Sequence, residues 1–80
     1  MTEQLKFRGR LAEKELEAKK LRLRMEGLRD SIRELLDPFE PVAALRTDVA
    51  MEQVIELAGL NIDLKEAIET IAALKKILGA

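Results

Sequence analysis

The chain has 80 residues, 36% charged and 48% hydrophobic, with two Phe and no Cys, His, Trp or Tyr. That length supports one small domain, and the missing Cys and His exclude disulfides, thiolate metal sites and the commonest general base. A formal net charge of −1 gives the whole molecule no field that attracts polyanions.

The first stretch, MTEQLKFRGRL, carries charges where a secretory signal needs an apolar run, which predicts a cytoplasmic protein. No apolar run approaches the roughly 20 residues that span a bilayer. Residues 3–37 read as one long helix. Positions 7, 11, 14, 18, 21, 25, 28, 32 and 35 advance by alternating threes and fours. They hold Phe7, Leu11, Lys14, Ala18, Leu21, Met25, Leu28, Ile32 and Leu35. Eight of these nine are apolar, the pattern of a coiled-coil-like seam over four heptads. Asp37-Pro38 ends the helix, since proline disfavours helical geometry in the residue before it. Residues 38–46 form a proline-containing connector in which Phe39 is expected to plug the end of a helical core. Pro41 can open a short helical turn through Leu45.

A second helix is predicted over 47–58, capped by Thr47 or Asp48, with Val49, Val54, Ile55 and Ala58 inward and Leu57 beside them. Gly59 fits a left-handed helix end. A third helix over 63–78 is announced by Asp63-Leu64-Lys65-Glu66, the pattern of a capping box, with Leu64, Ile68, Ile71, Leu74 and Leu78 as its apolar face. The expected fold is therefore all-α: a long helix and a short helical hairpin in a single domain, 1–80.

A helix over 3–37 is roughly 50 Å long, while helices of 11 and 15 residues reach about 16 and 22 Å. The hairpin then covers only half of the long helix and leaves a seam around Leu11, Ala18 and Leu21 uncovered. Soluble monomers rarely expose such a strip. The expectation is a homo-oligomeric helical bundle, dimer or tetramer, with Phe7, Leu11, Ala18, Leu21, Met25, Leu28, Ile32 and Leu35 as the self-association residues. In a parallel pair Arg10–Glu15 and Glu17–Arg22 attract while Arg24–Arg29 repels, so charge does not set orientation. Leu16 and Leu23, outward and one heptad apart, suggest an antiparallel four-helix or intertwined dimer.

Catalysis has little material. Ser31 and three threonines have no histidine to activate them, and the pairs Glu13/Glu17 and Glu52/Glu56 are ordinary solvated helix surface. Asn61-Ile62-Asp63 lacks the ligand count and glycine of a calcium loop, and no glycine-rich phosphate cradle occurs. No enzyme activity, metal or cofactor is expected. Glutamates break the basic face of helix 1 and Lys14 its apolar face, so no membrane-surface role is expected either.

Nucleic acid is the alternative partner. Residues 6–24 hold eight basic and three acidic residues, and Lys19, Lys20, Arg22 and Arg24 are the candidate phosphate contacts of a small dimeric regulator. Only Phe7 interleaves with them, so base stacking has no support. Val54-Ile-Glu-Leu-Ala-Gly-Leu-Asn61 resembles the first helix and turn of bacterial repressor helix-turn-helix motifs. The likeness covers eight residues. Ile55 then stands where the family has a small alanine, and Lys65 where its second helix has an apolar anchor. No DNA-contacting residue is carried across. The leading expectation is a non-enzymatic protein–protein interaction module, self-associating or bound to a different protein.

Overall fold

The computed structural model describes residues 3–79. Helix α1 runs over Glu3–Leu35, a single 3-10 turn over Val42–Ala44, and helix α2 over Thr47–Ile77. No strand occurs among the described residues. At 1.5 Å per residue the helices are roughly 50 and 46 Å long, too much for end-to-end placement in a molecule of 62 × 16 × 15 Å. They lie side by side and pack on each other. Glu15, Ala18 and Arg22 line one groove with Ile68, Ile71 and Lys75, while Met25 and Arg29 share another with Leu57, Asn61 and Leu64. Early α1 therefore meets late α2, and the pair is an antiparallel hairpin.

The α1 seam falls where its periodicity predicts: all nine positions from Phe7 to Leu35 are buried or half-buried. Lys14 occupies one of them without a buried charge. Its chain lies along the seam and its ammonium reaches out to Glu17 at 2.9 Å. The expected short hairpin is corrected, because α2 is a single helix. Gly59 does not end it: Gly79 is the only described residue with positive φ, at 73°, and it follows the end of α2. A helical glycine costs about 1 kcal/mol. Positions 50, 53, 57, 60, 64, 67, 71, 74 and 78 keep stepping by three and four straight through Gly59. Every one is buried or half-buried. Leu57 and Leu60 flank the glycine on this seam, and burying a leucine is worth about 2 kcal/mol, so packing outweighs the local break signal.

Four further expectations change as well. Val54 and Ile55 point outward at 45% and 65% exposure, and Ala58 is exposed, because the phase fixed by Leu57 and Leu60 turns Ala50 and Gln53 inward instead. Ile68 likewise sits outside the seam. Neither Thr47 nor Asp48 caps α2. The N-cap position is Arg46, with no side-chain cap bond. The Asp63 capping box is likewise absent, since Asp63 lies mid-helix.

The connector starts and turns as its prolines dictate. Leu36 still donates to Ile32 O at 3.0 Å, and Ala44 N donates to Pro41 O at 2.9 Å in the 3-10 turn. Phe39, however, is 94% exposed rather than plugging the core. Asp37 explains this: its Oδ1 accepts from Phe39 N at 2.9 Å and its carbonyl from Glu40 N at 3.1 Å. That local turn aims the ring away from both helices. Phe39→Ser is accordingly expected to leave hairpin stability within about 0.5 kcal/mol, read from a thermal melt by circular dichroism.

Candidate interaction surfaces

The hairpin core is thin. Among the described residues the buried ones are Ala18, Leu28, Ala50, Ala67 and Leu74, three of them alanines, and no large side chain is fully enclosed. Small residues let the helix backbones approach but contribute little apolar area. One polar atom is trapped there: Gln53 Oε1 is buried with no hydrogen-bond partner. Gln53→Leu keeps similar bulk and removes that unpaired acceptor, so it is expected to stabilise the hairpin by about 1–2 kcal/mol. Chemical denaturation should show a raised midpoint.

All eight predicted self-association residues lie on the α1 face turned to α2. The mismatch in helix length also vanishes, since α2 matches α1 to within two residues. Self-association through that seam would require the hairpin to open and exchange helices.

The uncovered apolar surface lies elsewhere. On α2, Met51, Val54, Ile55 and Ile62 are exposed together with Ala58. Spacings of four and three place Met51, Ile55, Ala58 and Ile62 on one outer stripe. Between Val49 and Ile62 the only charges are Glu52 and Glu56, one turn apart on a different flank. On α1, Leu5, Leu16 and Leu23 are exposed on the side away from the seam. The total accessible surface is 6349 Å². A compact monomer of 9.0 kDa exposes about 4,900 Å², so this rod carries a surplus of about 1,500 Å².

The four basic candidates do not gather. Lys19 and Arg22, three apart, share one flank of α1, and Lys20 and Arg24, four apart, share another. Arg22 lines a groove with Arg29, Glu26, Ala58 and Ile62. Lys20 and Arg24 line a different groove with Glu13, Glu17, Leu16 and Leu60. Arg24 is tied to Glu56 by two bonds to one carboxylate oxygen, at 2.9 Å from Nε and 2.6 Å from Nη2. Both partners are largely solvated, so the pair is worth under about 1 kcal/mol and serves mainly to fix register. Glu52 and Glu56 are one turn apart, but Glu56 faces Arg24 rather than a pocket shared with Glu52.

The helix-turn-helix likeness also loses its turn, because Val54–Asn61 lies inside unbroken helix. No group of three or more Asp, Glu, His or Cys among the described residues is placed to hold a metal ion. No described helix is long and apolar enough to cross a membrane. The outward phase of Val54, Ile55 and Ala58 was readable by stepping back from Leu64 through Leu60 and Leu57, but polar Gln53 masks the seam at its next position. No family model, curated protein or solved structure matches the chain.

Proposed function

We propose that this chain is a non-enzymatic helical interaction module of the cytoplasm, a small adaptor, assembly subunit or regulatory cofactor, whose working form is a self-associated bundle of hairpins. The observation that carries the reading is the surplus of exposed surface, about 1,500 Å², together with the uncharged outer stripe of α2. A standard specific interface covers about 800 Å² on each partner, so the surplus is about twice what one such interface removes from a copy and is ample for it. A two-helix core built on five small or medium residues gains stability when further helices cover its outer faces.

The nucleic-acid alternative has less behind it. Its four basic residues divide between two flanks, and Lys20 and Arg24 sit among Glu13, Glu17 and Glu56. Carboxylates there repel phosphate.

Association stabilises the folded state by mass action, so the melting midpoint must climb with protein concentration. A midpoint by circular dichroism that rises steadily over a 100-fold range in concentration is the expected result. A midpoint independent of concentration would remove self-association as the working form.

A further inference from the structure

The charges of this chain are spread unevenly along the rod. The open end, formed by residues 3–24 of α1 with 60–79 of α2 and the turn after it, carries eleven basic and seven acidic side chains, a net of +4. The connector end, residues 25–59, carries three basic and eight acidic side chains, a net of −5. From Thr47 to Leu64 there is no basic residue at all. A near-neutral chain thus folds into a rod 62 Å long with opposite ends of opposite sign.

We infer that the partner covering the outer face of α2 is a second copy of this chain, laid antiparallel along the first so that each open end lies beside the other's connector end. The inference rests on the self-association reading and adds its orientation and its surface. Two parallel rods would set +4 against +4 and −5 against −5, whereas antiparallel rods set +4 against −5 twice. Opposite ends side by side are separated by little more than a helix diameter, about 10 Å, comparable to the screening length at physiological salt. Like charges across an interface suppress the wrong arrangement and opposite charges select the right one. A two-fold axis across the rod uses the same patch on both copies, so Met51, Ile55, Ala58 and Ile62 are buried twice and the assembly closes. The surplus exposed surface supplies the area that such a dimer needs.

The chain has no cysteine, so a single Val42→Cys, at an 84% exposed connector position, takes one spin label per copy. Pulsed electron resonance then measures the distance between the two connectors, beside light scattering on the same sample. A two-fold axis through the stripe lies about 8 Å from the middle of α2 toward the connector. Antiparallel dimers are therefore expected to show label distances of about 40–50 Å, shorter than the 62 Å rod. Dimers with labels within about 20 Å, two helix diameters, would overturn the orientation and leave self-association standing. A monomer mass would overturn both. The charge origin has its own reading: Lys19→Glu with Lys20→Glu takes the open end from +4 to 0 and is expected to weaken the dimer about tenfold or more. It should also flatten the fall in affinity that the unmodified chain shows as salt rises. An affinity unmoved by both changes would show that the ends do not select the arrangement.

Discussion

Ala18→Asp is expected to unfold the hairpin or leave it barely folded. Ala18 is 2% exposed, the most buried residue of the seam, and lies where α1 faces α2. No basic group is buried beside it, since Lys14 sends its ammonium outward to Glu17, while Arg22 and Lys75 are exposed at the groove edge. The larger side chain of an aspartate also forces the helices apart. An uncompensated buried charge costs about 3–5 kcal/mol, against a total stability of about 4–12 kcal/mol for a chain this size. The melting midpoint should fall by about 10–25 °C, with much of the helical signal at 222 nm lost at room temperature. The same substitution at exposed Ala73 gives the comparison. It costs only helix propensity, under about 1 kcal/mol, and should leave the melt nearly unchanged. Equal losses at both positions would mean that the α1–α2 seam does not hold the fold.

Ile55→Asp with Ile62→Asp is expected to do the opposite: keep the hairpin and dissolve the oligomer. Both side chains are exposed in the single hairpin, at 65% and 59%, so charging them removes no contact of its core. In a symmetric dimer each change is counted twice, once per copy. Losing apolar burial at four positions while adding four negative charges should raise the dissociation constant about 100-fold or more, about 3 kcal/mol. Circular dichroism at low concentration should match the unmodified chain, while the mass at high concentration falls to the monomer. A variant that keeps its dimer would place the interface on another face, such as that of Leu5, Leu16 and Leu23.

The two substitutions separate the contacts that make the hairpin from those that join hairpins. That separation was only half legible in the sequence. The α1 seam was readable because eight of nine positions from Phe7 to Leu35 are apolar and the three-four stepping never breaks. The partner of that seam was not. On α2 the equivalent stripe runs through Ala50, Gln53 and Ala67, residues that are small or polar and give weak signals. Gly59 and the Asp63–Glu66 pattern give strong local signals for a break. Propensity and capping are worth about 1 kcal/mol each, and a long packed seam overrides them. Dividing α2 in two exchanges covered and uncovered faces: it turns Val54 and Ile55 into the core and leaves the Leu11–Leu21 half of the α1 seam to a second copy. Phe39 departs from the core for a local reason, since the Asp37 turn fixes its direction before packing can. The outward leucines of α1 were visible from the sequence and are exposed in the structure.

Absolute mass by multi-angle light scattering over a concentration series tests the central claim most directly. Refractive index must report concentration, because a chain without Trp or Tyr hardly absorbs at 280 nm. A mass that settles at twice the 9.0 kDa chain, or a multiple of that, is the expected result. A folded species that stays at 9.0 kDa across the whole series would contradict it.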